Sequence, residues 1–384
     1  MEEIRSTVAY EQMRSDFQSY PAVYAVGEDY QIAVVAKCEM MVWVEVGKES
    51  YYDHANGVLR SAKAYHAVTV PMEVLDAWEG YTLCYRKIIE RKAYRTQTED
   101  EVYRIEFSFY PVSGDRLRIY HISDTHNKVE GPICAGLYFG ESPDLLVLNG
   151  DIPNHSGKLE YFDSIHQIAG EITKGEHPSI FSRGNHDTRG RYAENFSEYT
   201  PTCKGDPYFT FRLGDLWGIV LDCGEDKPDD HEEYGHTVCF SHFRRMETRF
   251  LERVVKHAAT EYQAPGVRRR VAICHVPFSH IHKPPFDIEQ DTYAYWTKLL
   301  REEIKPHAML CGHLHRTRVH YPGEPFDDFG QPCPIIIGGN PHGKYVEEEA
   351  HLFDGAAIVW EGNSVKVYFT NQDREVIGED GFEV

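Results

Sequence analysis

The hydrophobic pattern changes character once along the chain, near residue 113. Before it, short runs rich in Val, Tyr and Phe alternate with polar turns. QIAVVAKC and MVWVEV (31–46), HAVTVPM (66–72), YTLCYRKI (81–88) and VYRIEFSFYPV (102–112) each read as a strand. Their spacing is that of a small all-β sandwich, immunoglobulin- or fibronectin-like, over residues 1–113. This module carries no ligand-type constellation, so packing or self-association (a homo-oligomer) is the role expected of it. Residues 111–115 (PVSGD) read as the turn that closes it.

Beyond that turn the apolar runs lose their alternation. LRIYHIS (117–123), DLLVLNG (144–150), SIFSRGN (179–185), RVAICHV (270–276) and HAMLCG (307–312) are the signature of strands buried on both faces. Between them 159–173, 242–260 and 291–304 have helical periodicity. YFTFRLG and LWGIVLDCG form a hairpin, and PIIIGG, AAIVWEG and VKVYFTN return to β. This βαβα rhythm predicts an α/β catalytic region over 114–384, with a largely parallel sheet covered by helices.

In such sheets ligands collect at the carboxyl ends of strands. Those ends read Asp124 and His126 in SDTH, Asp151 in NGD, Asn185, His186 and Asp187 in GNHD, His275 in ICH, and His313 and His315 in GHLH. Taken singly, a Gly-Asp is a turn and a lone His a polar residue that finds a partner. Five strand ends in succession with carboxylate, amide and imidazole side chains point to a metal centre of N and O ligands. Such ligands suit Mn, Fe or Zn.

Composition narrows the function. A formal charge of −21 disfavours long nucleic acid, and it does not exclude a small phosphorylated substrate as partner, because metal ions can invert the local potential. Nine cysteines without a CxxC pair suggest reduced thiols and a cytoplasmic protein. The first residues are acidic and polar, without the apolar core of a signal peptide. No later run is long enough to span a bilayer, so no membrane partner is expected.

The blocks D-x-H, G-D, G-N-H-D, H and G-H-x-H, in this order over roughly 116–345, resemble the calcineurin-like metallophosphoesterase superfamily. The resemblance implies a four-layer αββα sandwich carrying two metal ions. Asp124, His126 and His315 would hold one ion; Asn185, His275 and His313 would hold the other; Asp151 would bridge them. A hydroxide activated by the two metals would attack phosphorus. His186 would protonate the leaving oxygen, and Asp187 would orient His186 and keep it cationic, although a helix N-cap would equally explain Asp187. Arg189 and Arg191 are candidates for binding phosphate, weighed against a solvated loop. His155, His280, His282 and the Gly-rich 338–345 are weaker candidates for lining the pocket.

The sequence departs from two branches. Protein phosphatases resemble one another in G-D-x-x-D-R-G, and here Asn154 and His155 occupy the Asp and Arg positions. Purple acid phosphatases carry a Tyr where Asn154 stands, although their all-β N-terminal domain is similar in arrangement. The pattern is nearest the phosphodiesterase-like branch. A phosphodiesterase is therefore expected, with a phosphomonoesterase on a small metabolite as the alternative. A non-catalytic metal-binding scaffold is disfavoured because His186 and every ligand are present.

Overall fold

A computed structural model describes residues 11–280, 283–342 and 351–384. The non-alternating runs do become buried strands. Arg116–Ile122, Leu145–Asn149 and Pro178–Ser182 pair in parallel, as do Leu216–Leu221, Arg269–Cys274, Ala308–Cys311 and Ile335–Asn340. The two groups form the arms of one continuous sheet. They meet through Asp354–Glu361, which pairs along Arg116–Ile122 but touches Ile335–Asn340 at only two positions, Gly339↔Gly355 and Asn340↔Asp354.

That narrow corner lets the arms pack face to face. In the second arm Leu216, Val220, Val271, Ile273, Leu310 and Ile336 enter the core shared with the first arm. Their neighbours Trp217, Ile219, Ala272, Met309, Ile335 and Ile337 face a separate core. The period-2 side-chain direction of a strand thus serves two cores at once. Phe250, Leu251 and Val254 of the Phe240–Lys256 helix cover the outer core, with Trp296 of Gln290–Leu299. On the far side the Asp163–Thr173 helix packs Ile165, Ile168 and Ile172 onto the first arm. The layering is αββα, as expected.

The N-terminal residues are β-rich, but they are not walled off. Ala22–Val26, a run too short to stand out in the sequence, is buried at all five positions. It pairs in parallel with Pro178–Ser182, continuing the first arm. Asp29–Val35 and Tyr65–Pro71 extend the same sheet. Met40–Val46, Glu49–Tyr52, Gly80–Arg91, Thr96–Thr98 and Tyr103–Ser108 form a second N-terminal sheet. Its Val42, Val44, Leu83 and Ile105 join the same core as the first arm. The turn at residue 113 is therefore a change of rhythm rather than a break in hydrogen bonding. A strand apolar on both faces has to lie inside a sheet. Among the described residues, the partner that Ala22–Val26 finds beyond its own hairpin lies across that turn.

Among the described residues no helix is long and apolar enough to cross a membrane, and all nine cysteines are free thiols.

Candidate metal centre

Three of the ligand-bearing strand ends leave their strand through a left-handed turn. Asp124 (φ 57°), His126 (47°), Asp151 (55°), His313 (69°) and His315 (49°) all have positive φ. This region is uncommon outside glycine, and Asp and His tolerate it better than most residues. Each such residue costs on the order of 1 kcal/mol and persists where the surroundings require it. Two glycines permit the close approach. A Cβ on Gly150 (φ 75°) would lie 2.6 Å from the His275 ring and 2.7 Å from the Gly184 Cα; one on Gly184 would lie 2.3 Å from Asp151 Oδ1.

The turns gather the side chains. His315 Nε2 lies 3.0 Å from His126 Nε2 and 3.3 Å from Asp124 Oδ1. His275 Nε2 faces Asp151 Oδ2 at 3.3 Å and Asp124 Oδ1 at 3.7 Å. His313 Nδ1 is 3.1 Å from Asn185 Oδ1, and its backbone N–H donates to both Asp124 oxygens. Ligand atoms of Asp124, His126 and His315, and those of Asp124, Asp151 and His275, each lie within 4.8 Å of one another. The seven residues proposed as ligands thus form one constellation.

These residues fit cations. Asp124 and Asp151 are fully buried, and two carboxylates out of water need positive charge close by. Burial alone would depress His275, yet Asp151 and Asp124 outweigh it and raise His275 to about 10. Burial opposes ionisation of Asp124 and Asp151 too, but His275 and the other imidazoles hold both below the usual carboxylate value. Burial lowers His126 and His313 to about 4, which leaves their imidazoles neutral and able to ligate. His275 Nδ1 donates to the Asn149 carbonyl at 2.6 Å, fixing the ring, while Nε2 makes no well-aligned hydrogen bond. A metal ligand is oriented in this way by its outer partner.

His186 stands at the edge of this constellation, with a ring nitrogen within 4.8 Å of the ligand atoms of His126 and Asp151. Its ring is partly exposed at the mouth, with Nε2 3.9 Å from Asp151 Oδ2. Its Nδ1 is 2.8 Å from the Asn154 carbonyl, not from Asp187. The expected Asp187–His186 contact does not form. Asp187 is fully buried, and its Oδ2 accepts from the Gly184 and Asp151 N–H groups. Burial and the neighbouring Asp151 push its carboxyl well above the usual value. Asp187 braces the loop through these bonds and makes none to the His186 ring. His186 lies on the one-turn His186–Thr188 helix, and the short chain between neighbours points their side chains apart.

Arg189 does not reach freely toward a phosphate either. Its Nε and Nη2 each bind Glu225 at 2.8 Å, and Nη2 meets Asp226 at 3.2 Å; Nη1 is 3.3 Å from His186 Nε2. Arg191 is exposed, with its guanidinium 5.6 Å from the Tyr192 ring centre. His155 bonds the Gly157 N–H, and His280 pairs with Asp328 at 2.9 Å. His282 and residues 343–345 lie outside the described residues.

The sequence patterns above do not single out the loop Asp222–Asp226. Arg244, buried in the Phe240–Lys256 helix, donates to the Cys223 and Glu225 carbonyls, while Glu247 accepts from the Asp222 N–H. The loop so clamped presents Glu225 to Arg189 and Asp226 to the Asn185 amide at 3.5 Å. It follows a buried parallel strand, Leu216–Leu221, so the strand-end rule that finds the other ligands applies here too.

Two arms of sheet with buried carboxylates and imidazoles at their convergent ends define a metallohydrolase of the αββα kind. The chain belongs to the calcineurin-like phosphoesterase family, whose model matches residues 117–317, more than half of its length. It is thereby a metal-dependent phosphoester hydrolase. No curated protein sequence matches it. Among solved structures it is similar to a purple acid phosphatase from yellow lupin (Lupinus luteus) seeds, with TM-score 0.60 and 12% identity over 96% of this chain and 74% of that one. It is also similar to PhoD, with TM-score 0.56 and 11% identity over 96% and 90% of the two chains. At such identities the likeness is one of fold, and it runs through the N-terminal strands.

Proposed function

We propose that this hydrolase is a phosphodiesterase. The observation that carries the reading is the acidic rim. The arginine beside His186, Arg189, already binds Glu225 and Asp226, and Asp226 stands beside the Asn185 amide. A phosphomonoester brings two negative charges and needs free cations to receive them. A diester brings one, and is repelled less by the same carboxylates.

Asp124, His126 and His315 would hold one metal ion, Asn185, His275 and His313 the other, and Asp151 would serve both. Mn, Fe and Zn suit this donor set. When bound, the ions would supply a water of lowered pKa as nucleophile and charge neutralisation on the phosphoryl oxygens. The chain's own contribution is His186. The Asn154 carbonyl accepts from Nδ1–H, which leaves Nε2 facing the site, and only as an imidazolium would Nε2 protonate the leaving oxygen. Asp187 keeps the Gly150–Asp151 and Gly184–Asn185 turns in register.

The free thiols support a cytoplasmic setting. The charge of −21 supports a small substrate over long nucleic acid.

The test is hydrolysis by protein stripped of metal and reloaded with Mn, Fe or Zn. Bis-p-nitrophenyl phosphate is expected to be cleaved with the higher kcat/KM. Preference for p-nitrophenyl phosphate would sink the diester reading, and silence on both with two metals bound would favour a scaffold.

A further inference from the structure

The charged rim has one apolar opening. Beside His313, a cavity of about 20 Å³ is lined by the segment after the Arg269–Cys274 strand and by the approach to the Gln290–Leu299 helix. Its surface is almost wholly apolar. Val276, Phe278 and Tyr293 line it and belong to the outer core, against which Ile288 also packs. Phe286, 37% exposed, carries the lining out to solvent. Glu225 and Asp226, which border the cavity, are already bound to Arg189.

The outer core thus ends beside the metal centre in a slot that no side chain fills. Water is a poor occupant there, because a buried water needs about three hydrogen bonds and apolar walls offer none. A hydrocarbon group that replaces it gains free energy. His313 ties the slot to the chemistry. It lines the cavity, and its Nδ1 meets Asn185 Oδ1 at 3.1 Å within the metal centre. A guest in the slot is therefore within a short chain's reach of a phosphoryl group at the metals, which is where the carbon chain of an ester oxygen lies. The volume sets the width of that chain. A space of this order takes about one water, so it admits a file of methylenes and not a ring.

We infer that this slot receives an unbranched alkyl arm of the phosphodiester, which makes esters of short, apolar primary alcohols the substrate class. The inference rests on the phosphodiesterase reading and names the substrate of that same site.

The test uses the full chain loaded with Mn and a series of p-nitrophenyl phosphodiesters whose second arm is methyl, ethyl, propyl, 2-hydroxyethyl or cyclohexyl. From methyl to propyl, kcat/KM is expected to rise roughly fourfold per methylene. The propyl ester is expected to exceed its polar counterpart, the 2-hydroxyethyl ester, by roughly tenfold, and to exceed the cyclohexyl ester. Ile288→Trp, which fills the slot, is expected to bring the propyl-to-methyl ratio close to one. Calorimetric titration with the methyl, propyl and 2-hydroxyethyl esters of methylphosphonic acid gives a readout independent of turnover, with no aryl group to compete for the slot. The propyl ester is expected to bind most tightly to wild type and to lose that advantage in Ile288→Trp. A flat series, equal propyl and 2-hydroxyethyl esters, preference for cyclohexyl, or an unchanged ratio in Ile288→Trp would overturn the inference. If no diester is hydrolysed, the phosphodiesterase reading fails, and the titration still decides the slot.

Discussion

Two groups of buried histidines sit about one fold and mean different things. At the seam between the N-terminal strands and the first arm, His166 has both ring nitrogens satisfied. Tyr24 meets Nδ1 at 3.1 Å, the Tyr199 carbonyl meets Nε2 at 2.8 Å, and Tyr65 stacks on the ring at 4.7 Å. At the strand ends, His275 Nε2 lacks an aligned partner, two buried carboxylates face its ring, and the backbone of the neighbouring ligands is left-handed. One cluster is complete as protein and contributes packing. The other is complete only with cations. Burial of a histidine therefore says little by itself, and the accounting of its lone pairs says most of what matters.

Breaking the second cluster should have the largest effect. Asp151→Asn removes the carboxylate proposed to serve both metal ions. Metal affinity is expected to fall beyond the roughly 100-fold that losing an outer partner costs, and hydrolysis with it. Metal analysis of the purified variant checks this, and a full complement of two ions would contradict the shared role.

His186→Ala separates chemistry from metal binding within the same cluster. The rate on an unactivated diester is expected to drop roughly 10²–10⁴-fold, with metal content unchanged. Full activity on such a substrate would remove His186 from proton transfer.

His166→Gln probes the satisfied cluster. It is expected to destabilise by about 2 kcal/mol through lost hydrogen bonds and stacking, while added metal raises Tm by the same increment as in wild type. Burial outweighs the Tyr199 carbonyl and lowers His166 to about 4. A folded-state pKa below the unfolded 6.5 gives stability that is present above pH 6.5 and lost as pH falls toward 4. Its full size is on the order of 3 kcal/mol. Asp163, raised to about 6 chiefly by burial, works in the opposite sense, losing its contribution as pH rises through 6. The His166 share is therefore read from the difference between wild type and variant in denaturant melts at about pH 7.5 and about pH 4.5, on either side of that window. An unchanged difference would show that His166 does not carry this slope.

Asp187→Asn should have the smallest effect. An amide keeps an acceptor for the Gly184 and Asp151 N–H groups, so kcat is expected to fall by less than about tenfold, since roughly one hydrogen bond's quality changes. The acidic limb of the pH–rate profile should stay in place. A shifted limb would restore the orienting role that the geometry denies to Asp187.

The proposed ligands are legible in the sequence because metal chemistry restricts residue types, and a parallel sheet restricts where they stand. Asp124, His126, Asp151, Asn185, His275, His313 and His315 each follow an apolar run at its carboxyl end. The same rule reaches Asp226 when LWGIVLDCGED is taken as a buried strand end as well as half of a hairpin. The partners of His186 and Arg189 are not legible. Adjacency in sequence suggests Asp187 for His186, but neighbouring side chains on a tight turn diverge. The Asn154 carbonyl that holds the ring is a backbone group, to which the sequence gives no label.

Local patterning was enough for the αββα layering and the class of reaction, because periodicity and motif chemistry are properties of short segments. Three things were settled only by the closing of the chain on itself. Ala22–Val26 joined Pro178–Ser182, making the N-terminal strands part of the catalytic sheet. Asp187 became a brace, and Glu225 and Asp226 were set against Arg189. Each depends on which groups far apart in the chain approach within hydrogen-bonding distance, and that follows from how the arms of the sheet close, not from the residues around any one of them.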